Sequence, residues 1–423
     1  LIPRARSAYA ALSATLIAGA TSLAHAEPGR VWVEAGDLPW PKRARSVEVV
    51  AHDEPLFTEP HASAERRGTA AQRTRLPVFA AVRRPGCSGR WLLVGALAWL
   101  CEDRIKPSAL APTPARSARG GASLPYDYYF VGQRGTQGYA SLDIAEEGSP
   151  DAAFEPGFAV AVVTTGDKHG EAYALTTKGL WLPLRDLTPA RPSPFRGVMN
   201  PDSLTSLGWV LDDAPPLHSA PAGVRHRTPP LPLKRLDHVA VLEHVTRFGQ
   251  GWSRVGEDTW VADRFLRRPA PAPLPEDLGR HEHFIDVDLA SQTLLAYAGT
   301  RPVFATLVST GRGRPGSEEA TPRGEFRIWV KLRSTNMDNL EDDEASRFYS
   351  IEDVPWVMFF SRGYGLHGTF WHSGFGRVRS HGCVNLSPAD AEFLFRFAGP
   401  RVPTGWTAAF PSVYEPGTRI RIR

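Results

Sequence analysis

The chain has 423 residues, with 49 Lys and Arg against 45 Asp and Glu and a formal charge of +4. That balance, without a basic run, argues against nucleic acid as the partner, and a composition 42% hydrophobic and 22% charged argues against bulk disorder. No apolar stretch reaches the ~18 residues of a spanning helix, which excludes a multi-helix membrane protein. The 38 Pro and 38 Gly predict many turns, and 20 Phe, 12 Trp and 10 Tyr favour strands. A mainly β chain is expected.

Residues 1–26 read as an export signal. Arg4 and Arg6 are basic, Ala8 to Ala20 is moderately apolar, and Ala24-His25-Ala26 offers a small-x-small cleavage pattern. An uncleaved anchor is the alternative; the first residue is Leu1 rather than Met, which points to a start upstream or at an unusual codon. Export places the protein in the periplasm or at the cell wall, with no membrane span expected after cleavage. In an oxidising compartment paired cysteines bridge. Cys87 and Cys101 flank a hairpin symmetrically about Val94, so a disulfide is expected there and Cys383 is left free.

Pro/Ala/Gly-rich stretches at 111–125 and 268–280 read as linkers. They bound modules at 27–110, 126–200 and 201–267. Trp91-x2-Val94-Gly95-x3-Trp99 recurs as Trp252-x2-Val255-Gly256-x3-Trp260, with Asp103-Arg104 and Asp263-Arg264 following. Tyr173 to Trp181, followed by Arg185-Asp186, is a weaker third copy. Strand, Gly turn and strand, with aromatics filling a small barrel, is the physical reading. It resembles the bacterial SH3-like module found beside cell-wall enzymes. Such modules, with no nucleophile–base pair in sight, are expected to hold the protein on wall material without taking part in chemistry.

In residues 281–423, Phe284–Leu289 and Thr293–Tyr297 form a predicted hairpin, and Val303–Ser309 a third strand. Thr321–Val330 opens with a turn, then alternates Phe326, Ile328 and Val330 on one face of a strand; Val357–Phe360 is another apolar run. One helix follows Ser387, a good N-cap, with Pro388 at N1 and Asp390 at N3.

The chemistry gathers between His367 and Cys383. A thiol nucleophile needs a base within reach, and that base needs an acceptor on its other nitrogen. His367 and Cys383 close a Gly-rich excursion, Gly382 lets a substrate approach the backbone, and successive amides there suit a developing oxyanion. In an extended segment His381, Cys383 and Asn385 point one way.

His367-Gly368 followed by Ser380-His381-Gly382-Cys383-Val384-Asn385 resembles the signature of the L,D-transpeptidases with a YkuD-type catalytic domain. Thr321-Pro322-Arg323-Gly324-Glu325-Phe326 resembles that family's TPxGxF turn. The resemblance implies a β-sandwich with a short helix, Cys383 as nucleophile, His367 as base, the Gly368 carbonyl orienting the imidazole, and His381 in support. It implies acyl transfer on peptidoglycan stem peptides, donor and acceptor, releasing the terminal D-Ala and forming 3→3 cross-links in cell-wall biogenesis and cell shape. No cofactor and no metal are implied. An L,D-carboxypeptidase, a wall-to-protein transpeptidase and a wall-binding protein with a dead catalytic domain remain alternatives.

Ser380, Asn385, Tyr364, Trp371 and Arg379 are expected to meet substrate. Tyr364 and Trp371 read equally as packing or lid contacts, and Arg377 and Arg379 as solvated loop charges or partners of stem carboxylates. His367, His372, His381 and Cys383 also suit Zn²⁺, though without paired spacing. His281 and His283 read as surface residues.

Overall fold

The computed structural model describes residues 31–114, 123–228, 230–341 and 348–423. The predicted signal and part of the first linker lie outside these. The chain divides into two compact units, one ending at Pro114 and the other beginning at Ala115. It is mainly β, with two α-helices among the described residues, neither long and apolar enough to cross a membrane.

The first unit packs Val47, Leu56, Leu76, Trp91, Leu92 and Leu100 in its interior. Cys87 and Cys101 are bridged, with Cα atoms 5.6 Å apart. The pairing is as expected; its geometric basis is different. The hairpin pairs Trp91 with Cys101 and Gly95 with Ala98, so its turn falls at Ala96-Leu97. Cys87 therefore lies outside the strand, and the bridge pins the preceding loop to the hairpin's end.

The three repeats share one local structure. Trp91–Gly95 and Ala98–Cys101, Glu171–Thr176 and Trp181–Pro183, and Gln250–Gly256 and Thr259–Ala262 are hairpins. Each runs into a single 3-10 turn: Glu102–Arg104, Leu184–Asp186 and Asp263–Phe265. The turn's aspartate is an acceptor in each: Asp103 from Ser88 and Gly89, Asp186 from Thr136, Asp263 from Ser253. The repeated Asp thus ties its turn to a neighbouring segment, through a hydroxyl in the second and third copies and through the Ser88 and Gly89 amides in the first. A short helix, Leu142–Glu147, was not expected; Ser141 caps it and Gly148 ends it at φ +73°.

The C-terminal part is a two-layer β-structure. One sheet orders Arg301–Leu307, Thr293–Ala298, His283–Asp288, Arg419–Ile422 and Gly324–Arg327. The other carries Trp406–Ala409, Val330–Asp338, Ser350–Ser361, Tyr364–Gly368 and Val384–Leu386. Ile285, Leu294, Ile328, Met358 and Leu366 fill the core between them with the helix Pro388–Phe397. The predicted single strand through Phe326, Ile328 and Val330 is in fact two. The Ile328 amide pairs with Thr418 and the Trp329 amide with Phe359, so the chain crosses between sheets there while its buried side chains still point into the shared core.

The predicted helix is observed, with Ser387 accepting from the Asp390 amide. Asp390 does more than offset the helix dipole. It is buried and accepts from the Gly197 amide and the Thr306 hydroxyl. At the other end, Lys331 is fully buried, and its Nζ donates to the Phe395 and Ala398 carbonyls, groups a helix end leaves without amides.

Burial pulls Lys331 down to about 7, far below the ~10.4 of an unfolded chain. Between those values the unfolded state binds more protons, so this group makes stability rise with pH across that window. Urea unfolding of the parent chain and Lys331→Met should therefore show the parent gaining relative stability between pH 7 and 10, on the order of 3 kcal/mol. A flat difference would contradict the burial of a titrating ammonium.

Residues 123–267 pack on this sandwich rather than trailing from it. Ala159 pairs in parallel with Ile351, and Phe195, Leu207 and Trp209 share a core cluster with Phe284, Leu295 and Phe375. The Pro-rich 268–280 stretch lies along the same surface, where Arg421 donates to the Pro273 carbonyl.

Candidate active site

Two short parallel strands build the site: Tyr364–Gly368 and Val384–Leu386, with Leu366 opposite Val384 and His367 opposite Asn385. Continuing that register one step puts Cys383 beside Gly365. Side chains two apart on a strand share a face, and paired residues point the same way. Cys383, Asn385 and His367 therefore stand on one face, with His367 diagonal to the thiol. The 309–312 segment completes the sheet: Ser309 exchanges two backbone bonds with Asn385, and Arg312 N–H bonds Ser380 O.

His367 is 2% exposed. Its Nδ1 lies 3.2 Å from the Gly368 carbonyl, which can only accept, so Nδ1 carries the proton and Nε2 the free lone pair. Burial pulls this histidine down to about 4, keeping it neutral with the Nε2 lone pair free to accept. Trp371 stacks on the ring at 5.8 Å.

The thiol of Cys383 has the Gly363 carbonyl as acceptor at 3.8 Å. Burial pushes its pKa up, opposed by the Gly365 amide. A thiolate stabilised by a neighbouring imidazolium is the natural sequence-level expectation for such a pair; the enclosed setting reverses it, because low polarity disfavours both charged forms. Alkylation of Cys383 by iodoacetamide should keep accelerating as pH climbs past the ordinary thiol value of about 8.5. A plateau reached near neutral pH would indicate an ion pair instead.

The turn before the thiol is tight. Gly382 has φ +122°, and a Cβ there would stand 2.4 Å from the Tyr364 ring. Its amide donates to Ser380 Oγ, which donates to the Cys383 carbonyl at 2.5 Å. The Ser380 hydroxyl and the Gly382 amide are thus engaged within the turn. Tyr364 hydrogen-bonds the Glu318 carbonyl at 2.9 Å, leaning across this turn. Beyond it a cavity of about 450 Å³ is lined by Thr310, Pro315, Thr321, Tyr364 and Val378, so the TPRGEF turn and Tyr364 form its walls.

His381 goes elsewhere. It is exposed, takes a bond from Arg312 at 2.8 Å, lies 3.8 Å from Glu319 and stacks on Tyr349. Desolvation and then Arg312 pull its pKa down. Of the two loop arginines, Arg377 bonds Asp212 and the Leu211 carbonyl, whereas Arg379 is exposed and leans against Gly374. His283 is half-buried rather than a surface residue: its ring stacks on Phe397 at 4.0 Å and its Nδ1 lies 2.7 Å from that carbonyl.

His372, which sequence reasoning raised only as a zinc ligand, belongs to the site. The Gly374 amide donates to its Nδ1 at 3.0 Å, and its Nε2 lies 3.0 Å from the Asn385 side-chain amide. A neutral imidazole accepting at Nδ1 carries its proton on Nε2; assigning the Asn385 side-chain oxygen rather than its nitrogen to that side matches this proton and gives Oδ1 the partner it otherwise lacks. Burial first, then Arg379, pull His372 down to about 4, consistent with that neutral tautomer. Its spacing from Asn385 carries no local pattern, so only the fold reveals the pair.

Residues 282–422 match the family model for YkuD, the L,D-transpeptidase catalytic domain. The chain is 28% identical over 181 residues to the probable L,D-transpeptidase ErfK/SrfK of Salmonella typhimurium, a match covering 38% of this chain and 55% of that protein. This chain thus spans about half the length of that relative. Among solved structures, an L,D-transpeptidase from Xylanimonas cellulosilytica is 23% identical, covering 36% of this chain and 65% of that one at a TM-score of 0.25. One from Stackebrandtia nassauensis is 26% identical over 34% of this chain and 57% of that one, at a TM-score of 0.23. The family model and the motif thus fall on one segment, and it is residues 282–422 that match the YkuD-type L,D-transpeptidase catalytic domain.

Proposed function

We propose that this chain is an exported, cysteine-dependent L,D-transpeptidase acting on peptidoglycan stem peptides. The observation that supports it most is the His367 tautomer: Nδ1–H held by Gly368, Nε2 unprotonated, on the sheet face that carries Cys383. Sγ attacks the carbonyl between the third residue, a diamino acid, and D-Ala at position four as Nε2 takes the thiol proton. The same proton passes to the departing D-Ala nitrogen, leaving a thioester on Cys383. An amine from a second stem attacks the thioester, His367 takes its proton, and sulfur leaves and recovers it.

Because burial holds both groups neutral at rest, charge arises only during the transfer, where the Gly368 carbonyl meets the imidazolium's Nδ1–H. In this reading Arg379, exposed on the loop, meets a stem carboxylate, and Tyr364 and Trp371 flank the stem.

Incubating the mature protein with defined tetrapeptide muropeptides and weighing the products tests this reading. A 3→3 dimer with release of D-Ala is expected; a trimmed tripeptide alone would assign hydrolysis, and unchanged substrate would refute the activity.

A further inference from the structure

The loop that follows His367, residues 369–380, is tied at its ends to Leu386, Val308 and Thr310 of its own domain, while its middle is held by groups outside the catalytic domain. On one side Phe370, 1% exposed, stacks on Tyr128 at 4.0 Å, and the Tyr128 hydroxyl is anchored on the Asp353 carbonyl. On the other, Arg235 donates from Nη1 to the Ser373 carbonyl at 2.7 Å and from Nη2 to the Phe375 carbonyl at 2.9 Å. Arg267 takes the Gly376 carbonyl at 3.1 Å. A planar guanidinium spanning two carbonyls fixes both the height and the orientation of the chain between them. This is the stretch that presents Trp371 to the His367 ring and His372 to Asn385, which stands two residues from the thiol.

We propose, on the basis of the transpeptidase reading, that Arg235 is a positioning residue for acyl transfer. By clamping Ser373 and Phe375 it places Trp371 against the base and His372 against Asn385. The β-modules at 123–267 are then a built-in wall of the active site and not detachable anchors. Arg235 touches no reacting atom; it acts through the loop.

The test uses full-length Arg235→Ala and Arg235→Gln beside the parent. Acylation of Cys383 by a tetrapeptide stem is followed by mass spectrometry, and iodoacetamide alkylation at high pH reports whether the thiol sits in its native setting. Expected is a slowing of acylation at saturating donor on the order of tenfold to a hundredfold. The half-saturating donor concentration and the alkylation rate should stay within about twofold. Added guanidinium should restore part of the rate in Arg235→Ala, which a general loss of stability would not permit. Wild-type acylation rates in both variants would overturn the positioning role. So would loss of fold in both, since Arg235 would then serve the chain's stability. Absence of acylation in the parent chain would instead overturn the transpeptidase reading itself.

Discussion

His367→Ala is expected to lower the rate of Cys383 acylation by a stem tetrapeptide by about 10³-fold, within the range for loss of a general base. The neutral imidazole acts on the proton during attack, and among the described residues no other histidine is free to do so: His372 is committed to Gly374 and Asn385, and His381 to Arg312. Alkylation at pH above the thiol's own titration should change far less, because the thiolate there forms without help. His381→Ala should cost much less than His367→Ala. An equal loss in the two variants would mean that proton transfer runs through the exposed histidine, contrary to the geometry. Single-turnover mass measurements on the three proteins decide between these outcomes.

Gly382→Ala is expected to reduce activity at least a hundredfold while leaving most of the fold standing. A φ of +122° is ground that L side chains rarely occupy, at a cost of about 1–3 kcal/mol. The added methyl would also meet the Tyr364 ring at 2.4 Å and the Glu318 carbonyl at 3.1 Å. The ring can move and the carbonyl cannot, so the turn carrying Cys383 must shift, and shifts of about 1 Å at a reacting atom are costly. Thermal unfolding and the acylation rate, measured together, separate the effects. A variant of parental activity would show that the turn tolerates displacement and that Cys383 is not held in place by it.

What the sequence made readable follows chemical density along the chain. His367, Gly368 and the Ser380–Asn385 string lie close together, and the fold sets His367 on one strand and Cys383 immediately before its neighbour. The helix after Ser387 and the Cys87–Cys101 bridge also rest on local signals. The bridge shows where such signals end: symmetry about Val94 found the partners but not the strand register, which Leu97 at φ +50° sets by forming the turn. The crossing at Ile328–Trp329 was hidden because both sheets bury the same alternation of side chains.

The state of the thiol was hidden for another reason. Proximity of an imidazole suggests a lowered pKa, while burial, a property of the whole fold, raises it. The clamps on the catalytic loop were beyond reach altogether. Arg235 and Tyr128 lie far from the loop in sequence and bear no motif, and only three-dimensional packing sets them against Ser373, Phe375 and Phe370.

The central claim is that Cys383 carries the acyl group. Intact-protein mass spectrometry after brief incubation with a tetrapeptide stem, followed by peptide mapping, tests it most directly. The account predicts an added mass equal to the donor minus D-Ala, mapped to the peptide containing Cys383, absent in Cys383→Ala and lost on adding an amine acceptor. An unmodified protein that nevertheless releases D-Ala, or an adduct on any other residue, would contradict it.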